Sequence, residues 1–142
     1  GFRVMNFLIL FYANLLSSAI LLGLILIIHF VHYKSFYFIN ENVFIDFHKF
    51  HTKNISFIVI PLMTIEAFTS IIICFYYFGI LSLLNLFFVF LIWTVTFIYQ
   101  VPTHNKLSLG KNTLEIDNLV NKNIYRVFLW LFKTLTILLI VL

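Results

Sequence analysis

Ionisable side chains are costly inside long apolar runs and usually mark function there. In this chain Glu66 and Lys133 are such groups, and His29, His32, His48, His51, His104 and Arg126 stand at the ends of those runs or in the loops between them. Imidazole binds iron, copper and zinc alike, and it also exchanges protons near neutral pH. His48 and His51 stand three residues apart, a spacing at which one helix offers two nitrogen ligands to a metal. The single cysteine, Cys74, excludes an intrachain disulfide and a cysteine-based metal cage. No phosphate loop, nucleophile elbow or CxxC pair accompanies them.

Composition says what must position these groups. The 142 residues are 63% hydrophobic and 10% charged, with a mean hydropathy of +1.08. Soluble domains are about 45–50% apolar and about 25% charged, so the solvent for most of this chain is lipid. The net charge of +4 is not a nucleic-acid signal, because the basic residues sit in short loops between apolar runs.

Val4 to Tyr33 carries no Asp, Glu, Lys or Arg and exceeds the ~20 residues needed to span a bilayer. No small-x-small cleavage site follows Arg3, so this run reads as a span and not as a signal peptide. Asn54 to Asn105 carries one such charge, Glu66. As a single helix it would be ~78 Å long, so it must fold back, and Tyr76-Tyr77-Phe78-Gly79 is the expected turn. Pro102 closes the next span, and a last apolar segment contains Arg126 and Lys133.

The expected architecture is therefore all-α: one membrane domain forming a four-transmembrane-helix bundle, with spans at about 6–33, 55–78, 80–100 and 124–142. Short interfacial helices are expected at Asn42–His51, capped by Asn42 or Asn40, and at Thr113–Val120. The loops Lys34–Lys53 and Val101–Asn123 then share one side. With Arg126 at their edge they carry Lys34, Lys49, Lys53, Lys106, Lys111 and Lys122, against Arg3 alone on the other side. The positive-inside rule makes the loop side cytoplasmic and both termini non-cytoplasmic. All five histidines fall on that side too, although loops collect polar residues whatever their role.

Residue directions are more informative. At ~100° per residue, Asn14, Ser18, His29 and His32 form one stripe on the first span. Asn85, Thr96 and Gln100 share a face of the third, and Arg126, Trp130 and Lys133 share a face of the fourth. Glu66 is flanked by Thr69 and Ser70. Polar stripes turn away from lipid, so they are expected to face one another. For Ser18, Thr69 and Asn85 this means interhelical hydrogen bonds. Glu66 and Lys133 lie at matching depths, which predicts an ion pair that either sets helix registry or serves as a protonatable or substrate-binding centre.

In the segment Asn42–His51, His48 and His51 share a face with Phe44 and Phe47, while Asp46, Lys49 and Lys53 take the opposite face. The plain reading is an interfacial helix with histidines at headgroup level. The sharper reading is a metal or cofactor site, joined by His32 from the first span and His104 from the second loop. Glu66 stays outside it, since helix from His51 to Glu66 would separate them by ~22 Å. Two tiers result, a histidine layer above and the Glu66–Lys133 layer beneath.

The motifs His32-Tyr33, Phe47-His48-x-x-His51-Thr52, Pro61-x-Met63-x-x-Glu66, Gln100-x-Pro102-x-His104-x-x-Leu107 and Asn123-x-x-Arg126-x-x-x-Trp130-x-x-Lys133 cover nearly the whole chain. Together they resemble a family of small four-helix bacterial membrane proteins that is distantly similar to anthrone-oxygenase-like membrane proteins. The resemblance implies a functional set of His32, His48, His51, Glu66, His104, Arg126 and Lys133, and a bacterial inner membrane as the location. Lys34, Ile124 and Val127 depart from the pattern, which has proline, tryptophan and threonine there, and His29 does not belong to it.

These readings converge on a membrane-embedded, oxidoreductase-like protein. A transition metal, iron or haem first and copper or zinc otherwise, would sit on His32, His48, His51 and His104. Glu66, Lys133 and Arg126 would move protons or orient a lipophilic substrate such as a quinone or polyketide. His48 and His51 cannot be opposite axial ligands of one haem. The rival readings are a non-catalytic subunit of a larger membrane complex or a homo-oligomer, and a small proton-coupled transporter using Glu66. The lipid bilayer is the expected partner in each case, and nucleic acid in none.

Overall fold

The computed structural model describes residues 2–142, with side chains from Phe7 onward. The side chain of Arg3, counted above in the charge asymmetry, lies outside the described residues. Among the described residues the chain forms four helical rods. The first, α1, begins as Phe2–Ile27, passes through a π-turn at Ile28–His32 and one turn at Tyr33–Ser35, and ends in a 3₁₀ turn at Phe36–Phe38. The second, α2, is Glu41–Tyr76. The third, α3, comprises Ile80–Val95, a second π-turn at Thr96–Gln100, and Val101–Leu107. The fourth, α4, is Thr113–Val141. All four are long and apolar enough to cross a membrane.

The short helices expected at Asn42–His51 and Thr113–Val120 are not separate elements. They are the first turns of α2 and α4, each started by an asparagine cap. Asn40 Oδ1 accepts from the Asn42 amide at 3.0 Å, and Asn112 Oδ1 accepts from the amides of Leu114 (3.0 Å) and Glu115 (3.3 Å). Nothing interrupts either helix afterwards. Pro61 costs α2 one backbone hydrogen bond but does not end it. Length explains the difference: 36 residues make a rod of ~54 Å, well beyond the ~30 Å of hydrocarbon. The polar turns of each rod therefore project past the apolar slab while remaining helical.

The turn between α2 and α3 falls at Tyr77–Gly79, as expected, but for another reason. Gly79 is extended (φ −174°) and has open space where a Cβ would be, so no glycine is required there. Ser82 makes the turn: its hydroxyl accepts from the Gly79 amide at 2.9 Å and lies 2.7 Å from the Tyr77 carbonyl oxygen. Gly110, between α3 and α4, is the glycine whose backbone matters, with φ +152°.

The rods bury one side each and expose the rest. Leu21, Ile25, Phe36, Phe44, Met63, Ile92, Leu107, Ile116, Leu119 and Trp130 fill the core. Phe57, Phe68, Phe75, Phe90, Phe97 and Phe128 stand outward, as on a lipid-facing surface. At the end where the loops meet, the Lys111 ammonium donates to the carbonyls of Tyr37 and Ile39 (2.8 Å each). Nearby Lys106 pairs with Glu115 at 2.9 Å, and the Tyr37 hydroxyl bonds Asp117. The contacts of Tyr37 and Ile39 hold the α1–α2 connection against the start of α4, and the Lys106–Glu115 pair ties the end of α3 to it. An Asn112→Ala variant removes the cap of α4 and is expected to cost ~1 kcal/mol, read as a lower melting temperature in detergent with helix content unchanged.

Candidate functional site

Two polar layers are stacked inside the bundle. In the deeper one, Lys133 of α4 is fully buried. Its ammonium donates to Asn14 Oδ1 at 2.5 Å and to the Ser18 hydroxyl, both on α1, and lies 3.6 Å from Glu66 Oε2 on α2. The other carboxylate oxygen, Glu66 Oε1, accepts from Trp130 Nε1 at 3.1 Å. The Asn14 amide nitrogen reaches the Glu66 carbonyl (3.1 Å), Thr69 Oγ1 (2.6 Å) and Ser70 Oγ (2.9 Å). Asn85 of α3 closes the set by donating to Ser70 Oγ at 3.0 Å. The predicted Glu66–Lys133 pair is thus present, and it draws on all four rods.

The upper layer is assembled by the π-turns. Each inserts one residue into its helix, so the positions beyond it rotate by about −100° relative to an unbroken helix. On α1 this turns His32 away from the stripe it shares with Ser18 and brings Tyr33 inward. Tyr33 is buried and His32 only partly so. On α3 the second π-turn ends at Gln100, two residues before Pro102, whose ring would crowd a regular helix and which has no N–H to donate. Gln100, at the end of that turn, is buried, and His104 follows one turn on.

Tyr33, His104 and His48 form a chain. The Tyr33 hydroxyl lies 3.1 Å from His104 Nε2 and 3.4 Å from Gln100 Oε1. His104 Nδ1 lies 3.0 Å from His48 Nε2. His48 and His51 are buried beside Phe44, while Asp46, Lys49 and Lys53 are exposed, the division their angular positions predict. The His51 ring centroid is 5.3 Å from that of His32 and 6.4 Å from that of His104, and its Nε2 is buried without a hydrogen-bond partner. Phe36 packs edge-on against both His48 and His51. His29 stands apart, with Nδ1 3.5 Å from Asn123 Nδ2.

Arg126 bridges the two layers. Its guanidinium sits 5.0 Å from the Trp130 ring centroid, donates from Nη1 to Asn123 Oδ1 at 3.3 Å and faces the Tyr33 hydroxyl. A cavity of about 350 Å³ opens beside it, between α2 and α3. Its walls are apolar, chiefly Ile28, Ile55, Val59, Met63, Trp93 and Phe97, and its polar end is formed by Tyr33, Gln100, His104 and Arg126. Ile60, Phe97 and Val101 line it and are also outwardly exposed, so its mouth lies among lipid-facing residues.

The four histidines expected to bind a metal are neighbours, but they do not converge on one point. Among the described residues no three His, Cys, Asp or Glu side chains are placed to hold a metal ion. His104 has one nitrogen directed at His48 and the other at Tyr33, which leaves neither free. The residues as arranged fit a hydrogen-bonded chain better than a metal centre. Angular reasoning on a regular helix missed Tyr33, because nothing in the local composition announces a π-turn. It also missed Asn14 and Ser18 as the seat of Lys133, although the polar stripe already held them.

The deep layer makes a sharp stability prediction. Lys133→Met leaves Glu66 buried without its cation, and breaking such a pair costs ~3–5 kcal/mol. Combining Lys133→Met with Glu66→Gln removes both charges and is expected to restore much of that loss, read as thermal unfolding of the wild-type protein and the two variants in one detergent. Compared with protein-family models, curated proteins and solved structures, the chain matches none.

Proposed function

We propose that this chain is a membrane-embedded, oxidoreductase-like protein that takes a lipophilic substrate, of quinone or polyketide type, from the bilayer into the cavity between α2 and α3. Its own side chains supply the proton transfers at the polar end. The observation that carries this reading is the Tyr33–His104–His48 chain, buried at Tyr33 and His48 and half-buried at His104, ending at a cavity whose walls are mostly apolar and whose mouth lies among lipid-facing residues. At about 350 Å³ the cavity falls in the range of small-molecule sites, ~300–1,000 Å³.

The chain can relay a proton without rearrangement. In one tautomer the Tyr33 O–H donates to His104 Nε2, and His104 Nδ1–H donates to His48 Nε2. In the other, His48 Nε2–H donates to His104 Nδ1, His104 Nε2–H donates to the Tyr33 oxygen, and the Tyr33 O–H is released toward Gln100 or a substrate oxygen. Both forms keep every link of the chain hydrogen-bonded. Passing from the first form to the second takes one proton from the cavity onto the Tyr33 oxygen and gives one up from His48 Nδ1 at the far end. The reverse passage takes one up there and delivers one to the cavity, which is the work of a general base or acid. The cluster of Lys34, Lys49, Lys53, Lys106, Lys111 and Lys122 at this end of the bundle supports a cytoplasmic orientation for it.

The binding step is testable with a 2-methyl-3-alkyl-1,4-naphthoquinone added to the protein in lipid nanodiscs. Trp93 lines the cavity, so saturable quenching of tryptophan emission is expected. Met63→Trp fills the cavity from α2 and is expected to remove the saturable part. Quenching that rises linearly with probe in both proteins would count against the site.

A second reading places a transition metal on His51 with His32, His48 or His104 and is favoured by the unpartnered Nε2 of His51. It requires the His48–His104 hydrogen bond to open. Elemental analysis of protein purified without chelators decides it: about one metal per chain, lost in His51→Ala, supports the metal, and substoichiometric metal unaffected by His51→Ala excludes it.

A further inference from the structure

Arg126 is the cation of the upper layer without an anion. It is 6% exposed, and among the described residues no carboxylate lies within salt-bridge distance of it, since the ion pairs found are Lys106–Glu115 and Lys133–Glu66. Glu66 is committed to Lys133 and Trp130. The neighbours of the guanidinium are neutral: Asn123, the Trp130 face and the Tyr33 hydroxyl. Its Nε has no hydrogen-bond partner. A buried charge left unpaired in a low-dielectric interior is strongly disfavoured, and an arginine cannot escape by giving up its proton.

Gln100 repeats the pattern. It is 2% exposed, its Oε1 faces Tyr33, and its Nε2 is buried with no acceptor. Arg126 and Gln100 both line the cavity. Arg126 and Gln100, each with a donor that has no partner and the first permanently cationic, therefore both stand at the polar end of a mostly apolar chamber. A neutral ligand would satisfy the donors only in part and leave the charge uncompensated. An anionic oxygen there would supply the missing negative charge.

We infer that the polar end of the cavity is an anion seat and that its ligand is a lipophilic monoanion, an enolate, phenolate or carboxylate, held by Arg126 and Gln100. This rests on the reading of the cavity as a lipophilic-substrate site and adds the charge of the substrate. Arg126 is then the residue that selects and orients the ligand. The Tyr33–His104–His48 chain stands on the flank of the same anion, where a proton can be given or taken.

The test compares two probes of nearly one shape in nanodiscs of phosphatidylcholine at neutral pH: 3-alkyl-2-hydroxy-1,4-naphthoquinone, which is ionised there, and its neutral 2-methoxy ether. Saturable quenching of tryptophan emission reports binding of each. The hydroxy form is expected to bind at least about tenfold more tightly, the scale of one charge-assisted hydrogen bond. Gln100→Leu is expected to narrow that preference, and Arg126→Gln to abolish it while retaining the ether. Equal affinities in the wild-type protein overturn the anion seat and leave the cavity reading standing. Failure of both probes to bind removes the cavity reading with it. The wild-type comparison decides the matter even if Arg126→Gln does not fold. Repeating the titration in phosphatidylglycerol separates sources of the anion. Unchanged binding supports a small-molecule ligand. Displacement of the hydroxy probe assigns the seat to a lipid headgroup phosphate and overturns the small-molecule proposal.

Discussion

The ammonium of Lys133 is the constraint around which the bundle is organised. An ionised amine in the middle of an apolar helix cannot face lipid cheaply. Here it is enclosed by Glu66, Asn14 and Ser18, and Asn14 extends the contact to Thr69, Ser70 and, through Ser70, to Asn85. Apolar surface alone would not set the rotation of each helix in a bilayer, because lipid tails solvate leucine as well as another helix does. A single charge with partners on α1 and α2, bonded onward to α3, does set it. The same rotations turn Tyr33, His48, His104 and Arg126 toward one another at the next level.

The helices of the upper layer, where the proposed function places the chemistry, are locally irregular. π-turns are rare and concentrate at functional sites, and two of them occur here on facing rods. Their ends meet where Tyr33 approaches Gln100. One rotates a tyrosine inward, and the other lets α3 continue past Pro102 to deliver His104. The mostly apolar cavity beside them has polar groups at one end and outwardly exposed Ile60, Phe97 and Val101 along its lining, an arrangement that suits the proposed lipophilic ligand.

Much of this was legible in the residues. Membrane solvent, the number of spans, the fold-back near Gly79 and the pairing of Glu66 with Lys133 follow from charge placement and from the length of apolar runs. The inward face of His48 and His51 follows from helical angles, since α2 is regular there. Angular reasoning failed where the helix is irregular: His32 and Tyr33 exchange roles across a π-turn that no residue pattern marks. Helix lengths failed because polar composition was read as a boundary at Asn54 and Asn123, whereas a helix leaving the hydrocarbon remains a helix as long as its backbone hydrogen bonds continue. The histidines as a metal centre rested on residue type and proximity. Hydrogen-bond directions, which composition does not contain, turn His104 toward His48 and Tyr33.

The proposed function requires a lipophilic molecule to rest with an oxygen against the Tyr33 end of the proton chain. The carbonyl stretch of a ¹³C-labelled naphthoquinone probe, followed by difference infrared spectroscopy in nanodiscs, reports that contact directly. A second carbonyl band, shifted to lower frequency by hydrogen bonding, is expected with wild-type protein and is lost with Tyr33→Phe. A spectrum identical to that of the probe in empty nanodiscs, or a shifted band indifferent to Tyr33→Phe, would contradict the proposed function.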